Sequence, residues 1–481
     1  MKKTEVLVNS MMEPPALLSG GIYMEVKNLN SQHYNIKTVQ KYFLLKPTQV
    51  IILSFVLMIL LGTVLLMLPV STADGTGLHP VDALFVSTSA SCVTGLTVVD
   101  VKNDLTFFGK LVMLFLIQVG GLGIMTLATL AMHTLGYRFH MQQNIILQES
   151  LNQKTQAGLV DLILCMLKYT FAIEGFFAIL LTIHFYSEFG YEAIGYGIFH
   201  SVSAFCNAGF DLFGNYDSLA KRNTDNFLML CIGTLIVLGG IGFTVMADVL
   251  HKCRFTKFSL HTKIVIITNI VMILAGTLLL FGIEYSNPNT IGQMETFEKL
   301  ANSCFTSVSC RTAGFNSFDL AQTEQISQLT MIILMFVGAS PLSTGGGIKC
   351  TTFFIIIMSM WAVFRGKNHL IVFGREITNE LRDQAFAIFT MATIWVVAVG
   401  ILLSLIDGEN HNLLMVIFET VSGFATVGMG IGITAEWNMW GKLLLSLTML
   451  VGRVGIMTFM LALITQRNTM IKYPAENIMI G

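Results

Sequence analysis

Four short stretches of this 481-residue chain are versions of one pattern. Each runs from small or hydroxylated residues to a glycine that is followed by an apolar side chain. Their glycines lie 114, 105 and 114 residues apart, and such a recurrence predicts four copies of one structural unit. The stretches are SASCVTGLTVVD (89–100), SAFCNAGFDLF (203–213), VSCRTAGFNSFD (308–319) and SGFATVGMGIG (422–432).

The composition is that of a protein embedded in a lipid bilayer. Hydrophobic residues make up 54% of the chain and charged residues only 12%, whereas soluble domains carry about 25% charged residues. The net charge of −1 and the lack of a basic face exclude a nucleic-acid partner. No phosphate-loop or HExxH motif is present, and the ten histidines and eight cysteines show no catalytic or zinc-binding spacing. We therefore expect neither an enzyme nor an organic cofactor.

The apolar segments around each stretch repeat in one order. In the first copy, residues 50–70 are long enough to span a bilayer, 80–92 are too short, and 105–132 form a second span. The short segment fits a half-helix that enters the membrane and returns through a loop, which requires that the loop line a cavity or be buried in protein. The same order is predicted with outer spans 158–186, 264–284 and 384–406, half-helices 192–206, 294–310 and 411–424, and inner spans 226–249, 326–364 and 440–465.

The predicted fold is an all-α polytopic membrane protein with four tandem helix–pore loop–helix repeats around a central pore. This pseudo-fourfold arrangement has eight full spans and four re-entrant half-helices. Its predicted parts are an N-terminal tail (1–45), repeat 1 (46–136), repeat 2 (137–255), repeat 3 (256–366), repeat 4 (367–467) and a C-terminal tail (468–481).

Charge predicts the orientation of these spans. Eighteen of the 28 Lys and Arg fall in the N-terminal tail up to Lys46, in the connections 133–157, 250–263 and 365–382, and after residue 465. The positive-inside rule places these segments, and so both termini, in the cytoplasm. The chain is thus predicted to be a multi-pass protein of the cell membrane. On the other face, Asp100, Asp211 and Asp319 follow the loop glycines closely. They indicate either an acidic outer mouth that concentrates cations or ordinary solvated loops.

The glycines suggest what the loops do. Glycine permits backbone conformations that other residues avoid, and rings of carbonyl oxygens replace the hydration shell of K⁺ in selectivity filters. The C-terminal, negative ends of the half-helices would also favour a cation. The alternative is four small-residue patches that pack helices together. The candidate K⁺-coordinating positions are Val93, Thr94, Gly95, Asn207, Ala208, Gly209, Thr312, Ala313, Gly314, Thr426, Val427 and Gly428.

The motifs CVTGL, CNAGF, RTAGF and ATVGM resemble the pore loops of the Trk/Ktr/HKT superfamily of potassium transporters, most closely the bacterial Ktr membrane subunits. The resemblance covers roughly residues 45–467. It implies the pore-forming, K⁺-selective subunit of a potassium uptake system. It also implies a homodimer, a cytosolic nucleotide-binding regulatory subunit, and stimulation by Na⁺. The alternative function is a secondary carrier for another monovalent cation, coupled to Na⁺ or H⁺.

The third inner segment is too long for one span. Residues 326–364 would form a helix of about 58 Å, against a hydrocarbon core of about 30 Å. Its middle, GASPLSTGGGIKCTT (338–352), contains four glycines and a proline, which break helices. We expect two helices joined by an intramembrane loop; a hinge or an extramembrane turn is the alternative. In the family that the chain resembles, a loop at this position lies under the filter and gates the pore.

One arginine is predicted to act with this loop. Arg453 lies near the centre of an apolar span, where a charge is a functional candidate, and the superfamily has an arginine in a similar context near its gating loop. The alternative is a structural pairing of Arg453 with backbone carbonyls. Lys349, within the loop, is either a gate or an anchor, and Arg311 is predicted to brace its pore loop while pointing away from the axis. The predicted gate residues are Gly338, Ser340, Ser343, Thr344, Gly345, Gly346, Gly347, Lys349 and Arg453.

Overall fold

A computed structural model describes residues 46–124, 126, 159–367, 369–407 and 410–463. The predicted tails, 1–45 and 468–481, lie outside the described residues, as do the connection 133–157 and the end of the first inner segment.

Fifteen α-helices lie within the described ranges, and each predicted repeat contains a long helix followed by a short one. Repeat 1 contains α1 (Pro47–Leu66), α2 (Pro80–Cys92) and α3 (Phe107–Leu122). Repeat 2 contains α4 (Leu159–Phe189), α5 (Ala193–Phe205), α6 (Asn226–Gly240) and α7 (Phe243–Lys252). Repeat 3 contains α8 (Leu260–Glu284), α9 (Thr296–Ser309), α10 (Gln325–Phe336) and α11 (Cys350–Phe364). Repeat 4 contains α12 (Asn379–Asp407), α13 (Leu413–Ala425), α14 (Met439–Val454) and α15 (Ile456–Leu463).

Four apolar segments within the described ranges are long enough to cross a membrane, and the count rises to six if each bent helix pair is one span. The four segments carry large apolar side chains on their outer faces, such as Leu57 on α1 and Ile183 on α4, which suits contact with lipid. The prediction of eight full spans therefore stays a prediction. The four segments are Pro47–Leu66, Ile163–Phe205, Leu260–Glu284 and Asn379–Ile406.

The short helices α2, α5, α9 and α13 form the buried centre. The predicted half-helix 80–92 coincides with α2, and the other three begin one or two residues later than predicted. Pro80 opens α2 at a position where its missing N–H costs nothing. Asn412 caps the N-terminus of α13 through its side chain, which accepts from the N–H of Leu414. Each short helix ends where a pore loop begins.

The inner segments of repeats 2 and 4 are each two helices, with a break that the sequence did not predict. Helices α6 and α7 meet at 97°, and α14 and α15 meet at 100°. Gly242 (φ +94°) and Gly455 (φ +91°) stand at these bends, and Gly123 (φ +84°) ends α3 in the same way. Glycine is the residue that adopts such a positive φ without steric cost. Breaks in the inner segments are therefore general, and the third repeat differs by the length of its insertion.

A small hairpin departs from the predicted all-α fold. Strands β1 (Leu370–Val372) and β2 (Arg375–Ile377) pair antiparallel within the connection 365–382. Leu370 and Ile377, which face each other in this ladder, bury their side chains against Ile264 of α8. The hairpin thus anchors the connection between repeats 3 and 4 to the helices.

Candidate functional site

The backbone of each pore loop has two positive φ angles, two residues apart. A positive φ is rare for residues other than glycine and marks strained positions that are often functional. Here it occurs at a residue with a side chain and then at the loop glycine, in all four loops. The first set is Val93 (57°), Asn207 (60°), Thr312 (73°) and Thr426 (51°), and the second is Gly95 (104°), Gly209 (72°), Gly314 (80°) and Gly428 (88°).

The four glycines meet in a closed ring. A Cβ placed on any one of them would overlap a backbone oxygen of the next loop, and the order of these contacts runs from repeat 1 through repeat 4 and back to repeat 1. The loops therefore approach one another backbone to backbone around a single axis, which separate helix-packing patches would not do. The contacts would be Gly95 to Ala208 O (2.5 Å), Gly209 to Ala313 O (2.7 Å), Gly314 to Val427 O (2.6 Å), and Gly428 to Thr94 O.

Buried serines on two of the half-helices, α2 and α13, fix the loop glycine through hydrogen bonds. Ser89 Oγ accepts from the N–H of Gly95 at 3.1 Å, and Ser422 Oγ does the same for Gly428 at 3.1 Å. These serines lie six residues before their glycines, within the small-residue runs seen in the sequence. Sequence reasoning gave them no role, because a serine within a run of small residues does not reveal its hydrogen-bond partner.

The serines of the other two loops act in the opposite sense. Ser203 Oγ donates to Phe210 O and Ser309 Oγ donates to Phe315 O, both at 2.6 Å. In each case the acceptor is the carbonyl of the residue after the glycine. Hydrogen bonds with buried serine hydroxyl groups of the half-helices thus hold the backbone of all four loops.

A cavity of about 310 Å³ lies on one side of the ring. The four glycines and the residues that follow them line this vestibule, together with Asp100, Asp211 and Glu436. Asp319, by contrast, is exposed elsewhere and caps a short turn through the N–H of Ala321. Two of the three aspartates that the sequence singled out therefore reach the vestibule.

The two vestibule aspartates differ in environment. Asp100 joins loops 1 and 2, because its carboxylate accepts from Asn103 Nδ2 at 2.7 Å and from the N–H of Asn215 at 2.6 Å. Asp211 is half-buried and accepts from the N–H of Phe213 at 2.8 Å. Burial, reinforced by the nearby charge of Asp100, raises the pKa of Asp211 from 3.8 to about 6. Asp211 is therefore the vestibule acid whose charge changes near neutral pH.

The segment 338–352 packs against the opposite side of the ring. The N–H of Gly346 donates to Thr426 Oγ1 at 3.1 Å, and Thr344 Oγ1 donates to Phe205 O at 3.1 Å. A Cβ on Gly345 would overlap Thr312 Oγ1. These partners all precede the loop glycines, whereas the vestibule is lined by the glycines and the residues after them. The segment thus lies at the C-terminal ends of three half-helices, α5, α9 and α13.

Arg453 connects this segment to a different repeat. Its guanidinium donates to Thr344 O in the segment and to Gly120 O and Gly121 O of α3, the last at 3.1 Å. These carbonyls come from repeats 1 and 3, while Arg453 lies in the last turn of α14. Within the described ranges its hydrogen-bond partners are all backbone carbonyls, so backbone dipoles there stabilise the charge.

Two other positively charged side chains donate hydrogen bonds to carbonyls of the same segment. Lys349 Nζ donates to Gly345 O at 2.7 Å, which holds the side chain against its own loop. Arg311 donates to Asn269 Oδ1 and, at 3.4 Å, to Gly338 O, so its guanidinium turns from pore loop 3 toward the segment. Ser343 Oγ donates to Ser340 O at 2.7 Å, which tightens the turn between them.

The sequence profile of the TrkH family of cation transport proteins matches residues 27–472. The chain belongs to this family. It is 38% identical to the Ktr system potassium uptake protein B of Bacillus subtilis, over 92% of this chain and 98% of that protein. It is 36% identical to the potassium/sodium uptake protein NtpJ of Enterococcus hirae, over 91% of this chain and 98% of that protein.

A solved structure supports the fold. The crystal structure of the potassium transporter TrkH from Vibrio parahaemolyticus superposes with a TM-score of 0.69, covering 88% of this chain and 86% of that one at 18% identity. These findings confirm the resemblance to the Trk/Ktr superfamily. Because members of this family are transport proteins, they also confirm the prediction that the chain is not an enzyme.

Proposed function

We propose that this chain is the pore-forming, K⁺-selective subunit of a potassium uptake system in a bacterial cell membrane. The observation that carries the proposal is the closed ring of four glycine loops, whose backbones meet around one axis. The names of the relatives from Bacillus subtilis and Enterococcus hirae, both potassium uptake proteins, point the same way.

In this proposal the backbone carbonyls of the twelve filter positions, from Val93 to Gly95 and their equivalents in the other loops, coordinate a dehydrated K⁺ ion. Carbonyl oxygens are hard ligands that replace water around K⁺. The negative ends of the short helices add a favourable potential at the same place. The buried serines behind the loops keep the carbonyls from turning away when the site is empty.

The segment 338–352 is the gate of this pore. It blocks the path beyond the ring, and Arg453 holds it closed through the carbonyl of Thr344. The glycines of the segment allow it to move while the helices on either side stay packed. Lys349, whose ammonium is held by Gly345 O, adds a positive charge that opposes cation passage in the closed state.

The remaining parts of the proposal concern partners. The pore works as a homodimer with both termini in the cytoplasm, it is stimulated by Na⁺, and a cytosolic nucleotide-binding subunit regulates it. The relative from Bacillus subtilis is named as one protein of a Ktr system, which supports a second component. Truncation after Thr465 should weaken copurification with such a subunit.

Growth of a cell that lacks its own K⁺ uptake systems tests the function. Expression of this chain with a Ktr regulatory subunit should restore growth at limiting K⁺, and added Na⁺ should improve it. A chain with serine in place of Gly314 is the negative control, with membrane expression checked by immunoblot. Equal growth of both strains, or no rescue by the wild-type chain despite normal expression, would refute the proposal.

A further inference from the structure

Two buried polar side chains occupy equivalent positions on the half-helices that precede opposite loops. His200 and Glu419 each lie nine residues before a filter glycine, Gly209 and Gly428 respectively, and both are fully buried. Each accepts a hydrogen bond from the backbone N–H that comes three residues after the same glycine. Leu212 N donates to His200 Nε2 at 3.3 Å, and Ile431 N donates to Glu419 Oε1 at 3.3 Å.

The remaining contacts hold these acceptors in place. His200 Nδ1 faces Tyr196 O at 2.8 Å; because a carbonyl only accepts, Nδ1 carries the proton and Nε2 is the acceptor. The ring of Phe213 stacks on the imidazole with centroids 4.6 Å apart. The hydroxyl of Thr434 donates to the carboxylate of Glu419 at 2.9 and 2.8 Å.

These hydrogen bonds also orient carbonyl groups. In a trans peptide the N–H and C=O point in opposite directions, and the described residues contain no cis peptide bond. The N–H of Leu212 shares a peptide unit with the carbonyl of Asp211, and the N–H of Ile431 shares one with the carbonyl of Gly430. Both N–H groups turn toward buried half-helices, so the two carbonyls turn away from them. Asp211 and Gly430 both line the vestibule.

The other two loops lack this arrangement. The residues nine positions before Gly95 and Gly314 are Val86 and Phe305, whose side chains accept no hydrogen bond. In the ring order, loops 2 and 4 lie opposite each other. The oriented carbonyls therefore belong to opposite loops, and each lies two residues beyond its glycine in the ring.

We propose that His200 and Glu419 are positioning residues that aim the carbonyl oxygens of Asp211 and Gly430 into the vestibule, where this pair forms an outer coordinating position for an incoming cation. The inference rests on the proposed function. A cation arriving from solution exchanges part of its water shell for these two oxygens before it reaches the glycine ring. The role of the side chains is to accept a hydrogen bond, and the charge of Glu419 is not required for it.

Matched substitutions separate the acceptor from the charge. Glu419→Gln keeps an acceptor without charge, whereas Glu419→Leu removes the acceptor. His200→Gln keeps an acceptor, whereas His200→Phe keeps a ring that can stack on Phe213 and removes the acceptor. Val86→Ala is the control, since it perturbs the same register in a loop without an acceptor.

The readouts are the K⁺ concentration for half-maximal thermal stabilisation of the purified chain and the KM and maximal rate of Rb⁺ uptake into proteoliposomes. We expect Glu419→Leu and His200→Phe to raise the half-maximal K⁺ concentration and the KM about tenfold, the effect of about 1.4 kcal/mol. The maximal rate should change less than about twofold. Both Gln variants and Val86→Ala should stay within about twofold of the wild-type chain in all three quantities.

Three results would overturn the inference. The first is an effect of Glu419→Gln as large as that of Glu419→Leu, because charge would then be what matters. The second is unchanged K⁺ affinity in both acceptor-free variants, with unfolding temperatures without K⁺ near that of the wild-type chain. If Glu419→Leu fails to fold, His200→Phe decides alone. The third is a wild-type chain that neither binds K⁺ nor takes up Rb⁺, which would refute the proposed function as well.

Discussion

The four loop glycines are constrained twice. Each has a positive φ, which a Cβ makes costly, and each would place that Cβ against a backbone oxygen of the neighbouring loop. A backbone oxygen cannot move aside as a flexible side chain can. Substitution at these positions must therefore shift the loop that carries the glycine or the loop beside it.

Replacing Gly95, Gly209 or Gly314 by serine should lower the apparent affinity for K⁺ at least about tenfold, because displaced carbonyls no longer match a dehydrated ion. Concentration-dependent Rb⁺ uptake measures this. Gly282→Ser is the matched control, since Gly282 lies in α8 with no atom within 4 Å of an added Cβ. Unchanged affinity in all three filter variants would contradict the filter assignment.

Asp211 predicts a pH dependence. Its raised pKa, about 6, leaves the carboxyl charged at pH 7.5 and largely neutral at pH 5. One negative charge about 8 Å from an ion in water is worth about 0.5 kcal/mol, so uptake at subsaturating K⁺ should fall about twofold across that range. Asp211→Asn should lose this dependence and, at pH 7.5, resemble the wild-type chain at pH 5.

The control for that measurement is Asp319→Asn, because Asp319 is exposed outside the vestibule. It should keep the pH profile of the wild-type chain. A profile that survives in Asp211→Asn would show that another group titrates.

Sequence reasoning could select residues that stand out by a repeated local pattern or by a charge in an apolar segment. The glycines, and Arg453 within an apolar span, could be selected in that way. The serines, His200 and Glu419 could not, because each acts through hydrogen bonds to a loop backbone whose conformation the sequence does not reveal. A buried polar residue is informative only once its partner is known.

At the scale of elements, the inner helices show what hydropathy misses. An apolar run of the right length gives no sign of a bend near 100°, and isolated glycines are tolerated within helices. Only the third segment, too long for one span, predicted a break. A weaker signal was present: the runs GGLG (120–123), GGIG (239–242) and GRVG (452–455) all end at a glycine of positive φ.

These runs also explain the place of Arg453. Gly120, Gly239 and Gly452 stand so close to Ser91 O, Phe205 O and Phe424 O that none has room for a Cβ. The next residue is glycine in repeats 1 and 2 and Arg453 in repeat 4. The close packing of Gly452 against the C-terminal end of α13 therefore brings Arg453 to that end. From there its side chain extends to the segment 338–352.

Removing the contacts of this segment should open the proposed gate. Arg453→Gln, or deletion of residues 345–347, should raise K⁺ flux several-fold and make it less dependent on the regulatory subunit. The reason is that Arg453→Gln removes the guanidinium that donates to Thr344 O. The deletion removes the glycines whose backbone packs against Thr312 and Thr426. Flux into proteoliposomes, with and without that subunit, measures the effect.

Lys168→Gln is the control for this experiment, since Lys168 is an exposed cation on α4, outside the segment. Unchanged flux and regulation in both gate variants, at normal expression and assembly, would make the segment a hinge and place the gate elsewhere.

At the scale of the whole molecule, the loops of four predicted repeats form one ring, although the repeats differ in their helices. They differ in their inner helices, in the insertion of repeat 3, and in the acceptors behind loops 2 and 4. The half-helices and loops are nevertheless alike, because every loop must present the same backbone geometry to the axis. The shared loop geometry accounts for the pattern that recurs in the sequence, while the surrounding helices differ from repeat to repeat.

A carrier coupled to Na⁺ or H⁺ would use the same helices differently. A pore passes ions down their own gradient, whereas a coupled carrier requires the gradient of the second ion. The distinction is therefore one of driving force.

Rb⁺ accumulation into proteoliposomes loaded with K⁺, at equal Na⁺ and equal pH on both sides, tests the central claim most directly. We predict accumulation driven by the K⁺ gradient alone, blocked by external K⁺ at low concentrations and by Na⁺ only at concentrations at least about tenfold higher. Accumulation that requires a Na⁺ or pH gradient, or equal competition by Na⁺ and K⁺, would contradict a K⁺-selective pore.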